Sequence, residues 1–174
     1  MLTLAYHEAG HILAGLVFGF DCESATIEPS PGQSGETVTL MPLEALYVGG
    51  PLSPDHILTV ERLLVQSLAG YHAAMLSGAS EDTIPATVYK EDFCHANESA
   101  RVLARQPSLS ADVVDHFAKG HARAHFLAQT SGEMIRAVAL ALLDRRTLDR
   151  QGIRAAIAGQ SLSDVQARFA GYWR

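Results

Sequence analysis

Cysteine is scarce in this chain, and so is charge. Only two cysteines, Cys22 and Cys94, stand among 174 residues, too few for a disulfide framework and suited to a reducing compartment. Charged residues make up 18% of the sequence, and the net charge is −6 with no run of Lys or Arg. A nucleic-acid footprint needs a basic face, so no nucleic-acid partner is expected. Long apolar runs are missing as well. The longest near the N-terminus, residues 12–20, falls far short of the ~20 residues of a membrane span. A secretory leader places basic residues ahead of a smooth apolar run, and here His7, Glu8 and His11 occupy that ground. The expectation is a soluble cytoplasmic chain with no membrane segment.

What is present describes a compact domain. Hydrophobic residues are 48% of the chain, which excludes general disorder, and the length suits one domain with a sizeable core. Residues 3–18 are helix-compatible, with Leu4, Ile12, Leu16 and Val17 broken by small residues. Residues 24–29 and 36–42 are β-branched and alternating, and the intervening PSPGQSG reads as a turn, so a small antiparallel hairpin or meander is expected. Residues 43–54 read as a loop and 79–88 as a connector. Helices are expected over 55–77, 89–105, 110–128 (capped by Ser108 or Ser110), 132–145, 149–158 and 161–172. The predicted fold class is α+β, predominantly α-helical: a single domain, residues 1–174, with a small antiparallel sheet following the first helix.

That first helix carries the chemistry. Residues 7–11 read His7-Glu8-Ala9-Gly10-His11, the HExxH pattern. Residues four apart share a helix face, so both imidazoles can converge on one metal, while Glu8 projects around the rim and reaches a water on that metal without ligating it. Two neutral imidazoles and an oxygen ligand suit Zn²⁺ with a fourth position left for water. Gly10 within the helix costs about 1 kcal/mol relative to alanine and implies a close backbone approach. The third ligand is left open by this spacing. Glu81, Asp82, Glu91, Asp92, His95 and Glu98 are the downstream candidates. Asn97-Glu98 faintly resembles the second motif of thermolysin-like zinc proteases, and His95 offers a three-histidine alternative or a plain surface residue.

Taken together, the segments resemble a known family. AYHEAGHILA (5–14) is similar to the start of the peptidase domain of the FtsH-type ATP-dependent zinc metalloproteases. SATIEP and GETVTLMP resemble that domain's short strands, and SLAGYHAAMLSG resembles its second long helix. EDFCHANESAR aligns with its Asn-Asp-x-x-x-Ala-x-x-x-Ala-Arg segment, and ALALLDRRTLDRQGI with its C-terminal signature. The resemblance implies that Asp92 is the third zinc ligand. The predicted helix start near Asp92 agrees, since a carboxylate is favoured there. It further implies a zinc-dependent endopeptidase acting on flexible or unfolded polypeptides, with Glu8 as general base. The strand at residues 36–41 is expected to edge the cleft and to pair with an extended substrate.

Four departures matter. Ala73, Ala74 and Met75 replace the family's Ala-Glu-Glu run, the connector 79–88 departs from its Thr-Gly-Ala approach to the aspartate, and Glu91 stands in place of its asparagine. No GxxxxGK[ST] phosphate loop occurs in these residues, so unfolding of substrates is expected to need a separate ATPase or self-assembly. The alternative reading is a non-catalytic helical interaction module descended from such a peptidase. Among the remaining residues, His72 reads as a core or surface histidine, and Cys94 as a small apolar filler pointing away from the site. His116, His121 and His125 read as a solvated face with weak metal affinity, and Trp173 as a packing anchor.

Overall fold

The first helix, α1 (Leu2–Phe18), is buried along nearly its whole length. Small and apolar residues cover it on every side, so it forms the centre of the domain. It stops at Gly19, whose φ of 77° is left-handed and free of strain for glycine. The amides of Gly19 and Phe20 return to the carbonyls of Leu16 and Gly15, the paired bonds of a Schellman ending. The computed structural model describes residues 1–29, 35–47 and 50–173. The turn expected in PSPGQSG lies mostly outside the described residues.

Strands β1 (Asp21–Thr26) and β2 (Glu36–Leu40) follow α1 and pair antiparallel, Asp21 against Leu40 and Thr26 against Glu36, with a bulge between Cys22 and Ser24. Helix α2 (Pro54–Met75) starts with proline in its first turn and Ser53 as cap, whose hydroxyl accepts from the His56 amide at 3.3 Å. Between β2 and α2 the chain makes a 3₁₀ turn at Leu43–Leu46. A second 3₁₀ turn, Glu81–Thr83, leads into α3 (Ala86–Ala104), which begins directly after Pro85. Helices α4 (Val113–Thr130) and α5 (Gly132–Arg145) come next. Strand β3 (Thr147–Asp149) then adds to β1 antiparallel, giving the order β2-β1-β3. Helices α6 (Arg150–Ala156) and α7 (Leu162–Trp173) close the chain.

The architecture is therefore mostly α-helical with a small three-stranded antiparallel sheet, as the sequence predicts. Three details differ. The α4 cap is Asp112, not Ser108 or Ser110, because Asp112 and Asp115 exchange side-chain-to-amide bonds in a capping box. The sheet has a third strand, drawn from Thr-Leu-Asp after α5. Asp149 serves as the α6 cap and accepts from Gly152 N at 2.7 Å, so that helix starts one residue late.

The core runs through the middle of the helical layer. Ile12 and Leu13 of α1 are fully buried with Val65 and Leu68 of α2, Leu103 of α3, Leu127 of α4 and Ile135 and Leu142 of α5. Leu148 of β3 and Ile153 of α6 close it beneath the sheet. Trp173 packs on Phe18 and Phe169 and carries the Arg123 guanidinium over its ring at 4.1 Å, the anchor that the sequence suggests. Among the described residues no single helix is long and apolar enough to cross a membrane.

Helices α1 and α2 touch at Gly10. A Cβ built there falls 2.5 Å from both the Ala69 carbonyl oxygen and the Ala73 Cβ. Neither neighbour is a flexible side-chain tip, so the helices must separate to admit it. Gly10→Ala is expected to lower stability by about 1–3 kcal/mol, despite alanine's better helix propensity, as read from the denaturant midpoint.

Candidate metal centre

Three donors from two helices meet at the floor of a cleft. α1 supplies His7 and His11, one turn apart, and α3 brings Asp92 across to them. His7 Nε2 and His11 Nε2 are 3.1 Å apart, and Asp92 Oδ2 lies 3.1 Å from the first and 3.2 Å from the second. The triangle is nearly equilateral. Donors at about 2.0–2.1 Å from a tetrahedral cation stand about 3.3 Å from one another, so the three atoms need only slight expansion to hold a metal ion.

The surroundings aim these donors. His11 Nδ1–H donates to the Gln66 carbonyl at 2.9 Å, which fixes the ring's orientation and turns Nε2 toward His7 and Asp92. Gln66 returns the contact, its Nε2–H donating to the His11 carbonyl at 2.9 Å. Gly70 of α2 lies beneath both rings, and a Cβ there would collide with His11 Nε2 and fall 2.7 Å from His7 Cε1. Both histidines are buried. This nest of buried nitrogens, open at one side and lined by a glycine, fits a bound cation.

Glu8 is 4% exposed and stands beside the triad without joining it. Its Oε2 accepts a 2.6 Å hydrogen bond from the Thr37 hydroxyl of β2. Its Oε1 faces Gly35, where a Cβ would sit 2.7 Å away. A single cleft of about 380 Å³ contains His7, Glu8, His11 and Asp92, with Thr37, Thr39 and Met41 on the β2 side and Thr87, Val88 and Glu91 on the α3 side. The edge strand thus borders the cleft where the sequence puts it. Thr37 is a residue that sequence reading misses, since nothing in ETVTL marks which threonine turns toward Glu8.

Other expectations separate. Asp92 lies almost two turns inside α3, not at its start, because the helix begins at Ala86 after Pro85. The helix dipole fades within the first turn, so the two imidazoles, and not the helix end, hold this carboxylate ionised. Glu91, Glu98 and His95 are exposed and outside the triad. His95 and Glu91 reach only the cleft wall. Asp82 is exposed in the 3₁₀ turn, and the side chain of Glu81 lies outside the described residues. Ala73 and Ala74, in the run where the resemblance has Ala-Glu-Glu, are fully buried. Ala74 packs with Tyr71 and Ile84, a position that leaves no room for a solvated carboxylate.

Cys94 is exposed, which overturns its reading as a filler: on α3 it faces solvent. The solvated face expected for three histidines of α4 is also overturned in part. His116 is buried, His121 is half-buried against His72, and His125 is exposed.

No family model matches this chain, and comparison with curated proteins finds none similar to it.

Without a metal, the triad holds a proton. Burial works against charge on His11, but Asp92 beside it, through charge and hydrogen bond, outweighs burial and raises its pKa to about 9. Burial likewise opposes the charge of Asp92, and His11 and His7 overcome it and hold the carboxyl well below the usual range. His11 then stabilises the fold fully below the ordinary imidazole value of 6.5 and loses that contribution as pH rises through about 9. Asp92 acts only at the acid end, its contribution lost as pH falls below the carboxylate range. The chelator-stripped chain is therefore expected to melt at progressively lower temperature between pH 6.5 and 9, and Asp92→Asn to flatten that slope in the same thermal scans.

Proposed function

We propose that the chain is a zinc-dependent endopeptidase acting on flexible or unfolded polypeptide. The carrying observation is the triangle of His7, His11 and Asp92 with the ionisable Glu8 beside it and an open cleft above. Two imidazoles and one carboxylate are a donor set suited to Zn²⁺, which when bound acts as a Lewis acid and lowers the pKa of water toward ~7. The resemblance of residues 5–14 and 91–101 to the FtsH-type peptidase domain supports the same ligand set.

Each residue then has a task. His7, His11 and Asp92 would hold the cation. Glu8 takes the proton from the attacking water and later gives it to the leaving amine. Thr37 is a positioning residue: its hydroxyl holds one carboxylate oxygen of Glu8, leaving the other to work. β2 is the edge of the sheet, so an extended peptide can add beside it by main-chain hydrogen bonds, which fixes peptide direction while leaving side-chain choice loose. Delivery of folded substrates falls to a separate ATPase or to self-assembly.

Glu8→Gln is expected to lower peptide turnover by at least about 10²-fold while bound zinc, counted by elemental analysis, stays at the wild-type level. Asp92→Ala should lose the zinc, and Glu98→Ala should keep it. Full turnover in Glu8→Gln removes Glu8 from the mechanism. A wild type that binds zinc but cleaves no unstructured peptide points instead to the interaction module.

Thr37→Val keeps the shape and strand propensity but removes the hydroxyl donor. Turnover is expected to fall roughly tenfold with KM little changed. An unchanged kcat would show that Thr37 serves only the sheet.

A further inference from the structure

Away from the cleft, three histidines gather at the seam between α2 and α4. His72 projects from α2, and His121 and His125 stand one turn apart on α4. His72 Nε2 and His121 Nδ1 are 3.0 Å apart, and the His125 ring centre is 5.5 Å from that of His72. The first spacing is close to the 3.1 Å between the Nε2 atoms of His7 and His11, and to the about 3.3 Å expected for two nitrogens sharing a tetrahedral cation. The pair on α4 also repeats the i, i+4 spacing of His7 and His11, which puts both rings on one face.

We propose that His72, His121 and His125 form a second metal site, in which three imidazoles take a borderline divalent cation such as Zn²⁺ and leave the fourth position to water. His72 and His121 already face one another at ligand spacing. His125 stands farther off, its nitrogens not yet at ligand spacing from the other two, and the site requires its exposed side chain to turn toward the pair. An all-imidazole donor set with no carboxylate selects zinc, nickel or copper over magnesium or calcium.

The surroundings suit ligation. Aromatic walls hold the pair in place: Phe117 and Phe93 pack edge-on to His121 at 4.9 and 5.6 Å, and Tyr71 meets His72 at 5.3 Å. An ion here ties α2 to α4 beside Phe93, which adjoins Asp92 in sequence, so its role is structural: it stiffens the wall behind the cleft.

The proposal stands independently of the peptidase reading, and zinc counting separates the two. Wild type equilibrated with zinc and desalted is expected to carry about two zinc ions per chain by elemental analysis, with one lost in His125→Ala, one lost in His121→Gln and a different one lost in Asp92→Asn. Because His125 is exposed, its variant should keep the wild-type circular dichroism and zinc-free melting temperature. Its melting temperature should rise less than wild type when zinc is added. If both histidine variants bind as much zinc as wild type, the second site is overturned, whatever the wild-type count. One zinc per chain that vanishes only with Asp92→Asn overturns it as well and leaves the cleft site standing. One zinc that survives Asp92→Asn but not His125→Ala supports the second site and removes the metal from the cleft.

Discussion

The contact between α1 and α2 is the constraint on which the rest depends. Two helices normally stand 8–10 Å apart, and side chains at the crossing set the distance. Here the crossing is built from Gly10, Ala69, Gly70 and Ala73, with the His11–Gln66 pair bonded in both directions at 2.9 Å. Close approach places the Gln66 carbonyl where it can orient His11, and Gly70 leaves a hollow into which both rings fit. An alanine at Gly10 strikes the α2 backbone and one at Gly70 strikes both imidazoles, so helix packing and the placement of the two histidines are set at one crossing.

Asp92 completes the site from a third helix, and this is where electrostatics take over from packing. A carboxylate that is mostly out of water carries a desolvation cost which it recovers only with close partners. The two Nε2 atoms at 3.1 and 3.2 Å supply them. The metal-free triad resolves the charge through its own contacts, Asp92 raising the pKa of His11 and His11 holding the Asp92 carboxyl low, and the same three donor atoms could hold a metal ion. Glu8 makes no hydrogen bond to the triad, its Oε2 being bonded to Thr37, but its charge also raises the pKa of His11.

How much of this was legible depends on how far apart in sequence the partners lie. His7, Glu8 and His11 fall within one turn of one helix, so their relation follows from helical geometry alone. Asp92 is 81 residues from His11, and no local periodicity links them; the resemblance pointed to it, while the local argument from a helix start rested on a boundary misplaced by three residues. His72 and His121, 49 residues apart, were each readable as ordinary histidines, because neither helix alone reveals which face meets the other. Strand β3 escaped notice because three residues cannot display an alternation, and its pairing with β1 is a tertiary fact. The Asp112 cap shows the reverse limit: several nearby residues offered suitable chemistry, and only the reciprocal bond with Asp115 decides among them.

Strand β2 inverts the usual rule of burial, and the inversion has a cause. Thr37 and Thr39 turn inward while Val38 and Leu40 face out, 36% and 56% exposed. A slip of one residue would exchange the two faces and bury more apolar surface, worth about 1–2 kcal/mol by area. It would also set a branched hydrocarbon against the carboxylate of Glu8, which is nearly sealed from solvent and has its 2.6 Å bond to Thr37. Stripping a buried carboxylate of a charge-assisted donor costs about 1–3 kcal/mol or more, enough to oppose the gain. The same register sets Thr39 near Cys22 Sγ at 3.6 Å and pairs Thr37 with Ala25 across the sheet. The polar requirement of one glutamate therefore helps choose the face of the strand, and the strand so turned lines the cleft with hydroxyls. Glu8 is held by the same element that an extended peptide would meet, which couples the position of the base to the wall of the cleft.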